Sequence, residues 1–325
     1  MDIASFLFAP VMGKPAWMWL LFLGIVLTIL VLDLGVLHRK QREIGVRESM
    51  LLSLGYMGLA GLFGLYVLWQ MGGNAAAEFY TGYLIEWSLS LDNVFVISLI
   101  FTYFHVPRIY QHRVLFWGII GVIVMRGTMI FLGAALVHEF DWVMYLFGAF
   151  LLFTGVKLLM TVDSEPDIAS NPVLKITRRL FRVTDRVDGN HFFIHAPHPV
   201  TGKMVRYATP LFMALVLVEF VDLVFAVDSV PAIFAITKDP FIVYTSNIFA
   251  VLGLRSLYFA LAAMIHRFHY LKYALALVLI FIGGKIFYTQ IWGKMDPAIS
   301  LGITFAILVS GVVYSFLRTR REGAV

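Results

Sequence analysis

Residues 84–95 read LIEWSLSLDNVF and set Glu86, Asp92 and Asn93 inside an otherwise apolar run over 81–103. A run of that length is enough to cross a hydrocarbon core, which takes roughly 20 helical residues. Each charge held near the middle of such a helix costs about 2.5–3.5 kcal/mol. Three left uncompensated would rival a whole domain's stability of about 5–15 kcal/mol. Carboxylates persist there when they are paired, protonated or put to use, so fold and function both turn on their surroundings.

The rest of the chain has the same character. Of 325 residues, 60% are hydrophobic and 14% charged, with a mean hydropathy of +0.86, where a soluble domain carries about 25% charged residues. Apolar runs fall at 17–37, 49–69, 81–103, 114–137, 142–161, 210–235, 242–265, 271–292 and 297–317. They predict an all-α polytopic membrane protein, one membrane domain over 1–325 with about nine transmembrane helices. The first run has no small-residue cleavage pattern behind it, so it is expected to stay as a span. Eighteen Lys and Arg fall in the segments after alternate spans and three, Lys14, Lys238 and Lys294, on the opposite side. Under the positive-inside rule this predicts an outer N-terminus and a cytoplasmic C-terminus. The net charge of +5 then belongs to inner loops and argues against a nucleic-acid partner. The chain has no cysteine, which excludes disulfides, thiolate metal sites and CxxC chemistry.

One connection, 162–209, is long and is expected to be cytoplasmic. Its middle interleaves Leu, Ile and Phe with Lys175, Arg178, Arg179, Arg182 and Arg186, the composition of a helix lying on an anionic leaflet. Its last part, with Thr201-Gly202 between apolar stretches, predicts a hairpin. His191, His195 and His198 read as surface residues rather than metal ligands.

The opening stretch has a counterpart. EWSLSLDNV from Glu86 lies over DLVFAVDSV from Asp222, matching Glu86 to Asp222, Asp92 to Asp228 and Asn93 to Ser229. The correspondence continues through Arg126 and Arg255, then Lys157 and Lys285, with Arg-to-Lys spacings of 31 and 30 residues. Three markers recurring in order on three successive spans predict a repeat, 81–161 (spans three to five) against 210–292 (spans six to eight). With three spans per copy, the second enters from the opposite side. Such inverted repeats are a transporter architecture whose substrate site lies where the copies meet. Both lysines fall near helix ends and are expected to snorkel; Arg126 and Arg255 lie nearer mid-span and are expected to pair with carboxylates.

Six acids (Asp33, Glu86, Asp92, Glu219, Asp222, Asp228) face four bases within the spans. Pairing therefore leaves at least two carboxylates for another cation. At about 100° per residue, Glu86, Ser90 and Asn93 form one stripe and Glu219, Asp222 and Ser229 another, with Asp92 and Asp228 about 120° away. Either those two face different helices, or the helix is interrupted; Pro231 favours interruption in the second copy. The candidate ligands Glu86, Asp92, Asn93, Glu219, Asp222, Asp228 and Ser229 are oxygen donors, suited to Mg²⁺, Ca²⁺ or Mn²⁺ over Cu or Zn. Surplus carboxylates could carry protons the other way. Asp33, near the inner end of span one, is a candidate for the access path. Competing readings are a scaffold holding partners through the basic loop and an anion carrier built on Arg126 and Arg255. No HExxH or Ser-His arrangement lies in the spans, so no enzyme is expected.

TGYLIEWSLSLDNVFV, YATPLFMALVLVEFVDLVFAVDSVPAIFAIT and DPFIVYTSNIFAVLGLRSLYF resemble the hallmark segments of the TerC family of bacterial membrane proteins. DWVMYLFGAFLLFTGVKLL and LKYALALVLIFIGGK extend the resemblance over nearly the whole chain. The resemblance implies an exporter of divalent cations, chiefly Mn²⁺ as transported substrate with no resident cofactor, in the bacterial inner membrane. It maps the family's acidic motif onto Glu86, Asp92, Asn93, Glu219, Asp222, Asp228 and Ser229. The loop around HAPHPVTGKM is longer than the family's usual hairpin.

Overall fold

A computed structural model describes residues 3–33, 45–140, 142–160, 168, 171–198, 202–262, 271–293 and 295–322. A short helix α1 (Ile3–Leu7) and a tight hairpin β1 (Pro10–Val11) and β2 (Lys14–Pro15) precede the first apolar helix, α2 (Ala16–Leu32). Then come α3 (Val46–Met71), α4 (Gly73–Tyr103), α5 (Arg108–Glu139) and α6 (Trp142–Met160). The long connection holds α7 (Pro172–Leu180) and the hairpin β3 (Phe193–Pro197) and β4 (Met204–Ala208). Four helices follow: α8 (Pro210–Phe234), α9 (Pro240–Ala262), α10 (Leu271–Trp292) and α11 (Pro297–Glu322). Among the described residues eight helices are long and apolar enough to span a membrane, and α2 is a shorter apolar one. The chain is thus an all-α multi-pass membrane protein.

The helices are longer than the apolar runs that signal them. α3 and α4 are separated only by Gly72 at φ +92°, a left-handed conformation that glycine adopts without steric cost. α4 consequently starts eight residues ahead of its expected span. The N-terminal hairpin was not foreseen; the Lys14 ammonium stands 2.8 Å from the Asp239 carboxylate and ties it to the α8–α9 link.

Between helices in lipid there is no hydrophobic drive, so close packing and small residues hold the bundle together. α4 packs on α9 as α5 packs on α8, and α6 pairs with α10. A Cβ at Gly82 would stand 2.9 Å from Ser246 Oγ, so α4 and α9 approach where the polar Thr245-Ser246-Asn247 triplet begins. Gly155 and Gly283 do the same for α6 and α10, where an added Cβ would fall 2.9 Å from the carbonyls of Ala276 and Gly148 respectively. An aromatic cluster fills the core between α2, α3, α4 and α9; the Phe63 ring lies 5.9 Å from Phe22 and 4.9 Å from Phe249.

The connection folds largely as its pattern predicts. Asn171 Oδ1 accepts a hydrogen bond from the Val173 amide at 2.9 Å, capping α7 with Pro172 in its first turn. Leu174 and Thr177 are buried toward α8, while Lys175, Arg178 and Arg179 face outward. β3 and β4 pair antiparallel from Phe193↔Ala208 to Pro197↔Met204. The Arg206 guanidinium lies 3.9 Å from the centre of the Phe193 ring, which packs on Phe212.

Two expectations are corrected. α8 is not interrupted at Asp228: it runs through Pro231 to Phe234. The bond that Pro231 cannot donate falls so near the end that the helix terminates three residues later rather than breaking. Lys285 does not snorkel either. It is buried, and its Nζ donates to Ser300 Oγ at 3.0 Å because α11 covers that face of α10. Lys157 stays exposed at the end of α6.

Candidate functional site

The stripe on α4 is the anchor of a buried polar network. Glu86 is fully buried, 13 residues into α4, and Ser90 Oγ, one turn on, donates to its Oε1 at 3.2 Å. Arg126 of α5, itself 2% exposed, donates through Nη1 to Glu86 Oε1, to Asn247 Oδ1 at 2.9 Å and to Ser229 Oγ at 3.2 Å. Asn247 Nδ2 returns a bond to Glu86 Oε2 at 2.9 Å. Four helices thus meet on one ion pair whose carboxylate oxygens are both bonded. The carboxylate is thus satisfied, as a buried charge pair needs, while Arg126 Nε is buried without a partner among the described residues.

A cleft of about 480 Å³, counting its mouth, opens beside this network between α4, α5, α6, α8 and α10. Asn93 and Asp228 line it with Ser90, Thr154 and Ser229. Asn93 is 4% exposed, yet its Oδ1 has no hydrogen-bond partner among the described residues. Asp228 has only a long bond from Thr154 Oγ1 at 3.4 Å and feels the Lys157 charge. Unlike Glu86, these oxygens are presented to the cleft rather than used up by the protein.

α8 and α9 hold a second arginine–carboxylate pair without the same network. Arg255 of α9 donates to Asp222 Oδ2 through Nη2 and to the Leu115 carbonyl through Nη1. Its guanidinium fills the space left by Gly118, and the Glu219 carboxylate fills that left by Gly121, both on α5. Both Glu219 oxygens are buried without a hydrogen-bond partner among the described residues. Asp33 closes α2, buried, with Oδ2 3.4 Å from His112 Nε2.

The expected ligand set is therefore divided. Glu86, Asn93, Asp228 and Ser229 surround the first cleft, while Glu219 and Asp222 belong with Arg255. Asp222 and Ser229 are seven residues apart on one continuous helix, about 10 Å along its axis at 1.5 Å per residue. One ion cannot bridge them. Asp92 lies on α4, but its side chain is outside the described residues. Arg126 and Arg255 pair with the buried carboxylates of Glu86 and Asp222, as expected. Sequence reasoning missed Asn247 and Thr154. The signal for Asn247 was present: three consecutive polar residues within an apolar run. Thr154 stands alone in its span and gave none. Among the described residues no group of three or more His, Asp or Glu is placed to hold a metal by itself.

A bundle of membrane-crossing helices with two internal arginine–carboxylate pairs, one beside a cleft of open oxygen donors, defines an integral membrane protein with a polar interior. The chain belongs to the integral membrane protein TerC family, whose profile matches residues 71–323. It is 47% identical over 300 residues to an uncharacterized membrane protein of Rickettsia bellii strain RML369-C, covering 92% of this chain and 97% of that one. To the membrane protein STKORF319 of Myxococcus xanthus it is 44% identical over 311 residues, 96% and 95% of the two chains. The Escherichia coli K12 protein Alx, named for a proposed role as a membrane-bound redox modulator, is 45% identical over 306 residues, 91% and 93%. No solved structure matches the chain.

Proposed function

We propose that this chain is a secondary transporter that exports a divalent cation, Mn²⁺ foremost, from the cytoplasm across the bacterial inner membrane in exchange for protons. The observation that carries this reading is the cleft beside Glu86 and Arg126, where the buried, unpartnered Asn93 Oδ1 and the weakly bonded Asp228 carboxylate share one wall-to-wall space. Arg126 neutralises Glu86, so the network holds the walls apart without competing for the ion. Carboxylate, amide and hydroxyl oxygens are the donors that hard and borderline divalent cations take. Asp92 is included on the strength of its place in the acidic sequence motif alone. Glu219, without a hydrogen-bond partner in the second copy, is suited to take up a proton or to hand on the cation, as intramembrane carboxylates do.

On the orientation that the loop charges favour, the two copies are inverted and the cation crosses where they interlock. An anion carrier is less well supported, because both arginines are committed to carboxylates. A redox role like that in the name of Alx could not run on thiols in this chain, which has no cysteine. The test is cellular Mn²⁺ content in a strain under Mn²⁺ load, with Asp228→Asn and Asp92→Asn variants that reach the membrane. Both are expected to leave Mn²⁺ at the level of cells lacking the protein. Clearance equal to that of the unmutated chain would overturn the site, and clearance of Ca²⁺ in place of Mn²⁺ would overturn the choice of ion.

A further inference from the structure

α7 has three faces. Leu174 and Thr177 are buried against α8. At about 100° per residue, Ile176 and Leu180 fall about 110° round from that pair, and Lys175, Arg178 and Arg179 about 120° round the other way. Ile176 is 55% exposed and Leu180 73%. In water alone, two bulky aliphatic side chains one turn apart would stand bare beside a charged face.

The basic face has no counter-charge of its own. Lys175, Arg178 and Arg179, with Arg182 and Arg186 just beyond the helix, form no ion pair among the described residues, although Asp185 and Asp188 lie in the same segment. Five like charges close together repel one another unless an anionic surface meets them.

The packing of α7 sets its depth. Leu174 belongs to the same buried cluster as Leu211 and Ala214 of α8, and the Phe181 ring, next after the helix, lies 5.1 Å from Phe212. These partners are in the first two turns of α8, where its membrane-crossing stretch begins. The hairpin is fixed at the same level by Phe193, 4.5 Å from Phe212. α7 therefore lies at the edge of the bilayer. On the orientation that the loop charges favour, this is the cytoplasmic leaflet, which carries the anionic lipid.

A helix that sets an apolar face into the headgroup boundary and keeps basic residues beside it binds anionic leaflets. Arg179 is about 60° from Ile176, on the border of the two faces, where its stem can lie on apolar surface while the guanidinium reaches a headgroup. We propose that α7 is a binding ledge for anionic phospholipids: Ile176 and Leu180 enter the leaflet boundary, and Lys175, Arg178, Arg179 and Arg182 take the lipid phosphates. A soluble acidic partner would answer the charges but gives no reason for the helix to lie at this depth. The ledge stands or falls apart from the exporter reading, since it involves neither the cleft nor the cation.

The chain has no cysteine, so Leu180→Cys accepts a single nitroxide. With the full chain in nanodiscs of equal phosphatidylglycerol and phosphatidylcholine, the label is expected to meet dissolved oxygen more readily than a water-soluble nickel chelate. Greater access for the chelate overturns the proposal and leaves the basic face to a soluble partner. Lipid choice is read separately, by native mass spectrometry of the full chain taken from the same mixture. The unmutated chain should retain phosphatidylglycerol over phosphatidylcholine. Lys175→Gln, Arg178→Gln, Arg179→Gln and Arg182→Gln together should lower that ratio on the order of tenfold or more, since each basic residue near an anionic surface contributes about fivefold in affinity. All four side chains are exposed, so the substitutions leave the packed core untouched. An unchanged ratio overturns the lipid assignment whatever the label shows.

Discussion

The two arginine–carboxylate pairs come from similar stretches of sequence and live in different surroundings. Glu86 and Arg126 are braced by Ser90, Asn247 and Ser229 from three further positions, with both carboxylate oxygens bonded. Asp222 and Arg255 have one bond between them and one to a backbone carbonyl, next to Glu219, whose carboxylate has no hydrogen-bond partner among the described residues. Two similar stretches therefore each supply an arginine–carboxylate pair, and the neighbours decide what each does. The first is a structural joint that leaves the adjacent cleft free; the second is a looser joint beside the Glu219 carboxylate.

The largest expected effect comes from breaking the first joint. Arg126→Leu leaves the fully buried Glu86 without its counter-charge, and breaking a buried pair from one side costs about 3–5 kcal/mol. Denaturant unfolding of the purified protein in detergent should show this loss. The double variant Arg126→Leu with Glu86→Leu should recover most of it, because no orphan charge remains. If the single variant is as stable as the unmutated chain, the network is not the joint described.

Arg255→Leu tests the other half of the comparison. Asp222 is 6% exposed where Glu86 is fully buried, so the expected loss is smaller, about 1–3 kcal/mol, the cost of one unsatisfied buried partner. The same unfolding experiment measures it. A loss equal to that of Arg126→Leu would mean that the two surroundings do not differ in effect.

Adjacent glycines on α10 sharpen the contrast, since α6 and α10 wall only the first cleft. A Cβ on Gly283 would lie 2.9 Å from the Gly148 carbonyl and 3.0 Å from the Leu152 amide nitrogen, both backbone atoms that cannot swing aside. Gly283→Ala should therefore destabilise by about 1–3 kcal/mol, as overpacking does. A Cβ on Gly284 meets nothing within 4 Å, and Gly284→Ala should be neutral or stabilising by up to about 1 kcal/mol. Unfolding midpoints of the two variants give the answer directly.

Much of this was legible in the sequence because lipid imposes strict rules. Apolar runs marked the spans, and the Glu86 and Asp222 motifs, with their arginines, marked the two joints before any coordinates. The ends of helices were less legible: Gly72 lets α4 begin directly after α3, and no hydropathy signal marks that. The division of the ligand set was hidden for a different reason. Stripe arithmetic reports angle around a helix and ignores distance along it, so Asp222 and Ser229 looked like neighbours while standing two turns apart. Lys285 was misjudged because burial by α11 depends on which helix packs over which face, and spacing within one span carries no such information. Asn247 completes the first joint from another helix, a partnership that exists only once α4 and α9 meet at Gly82.

The smallest effect belongs to an ion pair outside both joints, which sets the scale for the others. Lys14 and Asp239 stand 2.8 Å apart with side chains 23% and 22% exposed. Water and salt reach such a pair, so its contribution is about 0–1 kcal/mol. Lys14→Ala should shift the unfolding midpoint little, and the shift should vanish in high salt. Arg126→Leu should be insensitive to salt, because neither Arg126 nor Glu86 is accessible to it. Salt dependence thus separates the charges by surroundings rather than by separation: Lys14 and Asp239 lie within ordinary hydrogen-bonding distance, yet only the pair sealed inside the bundle can hold helices in register.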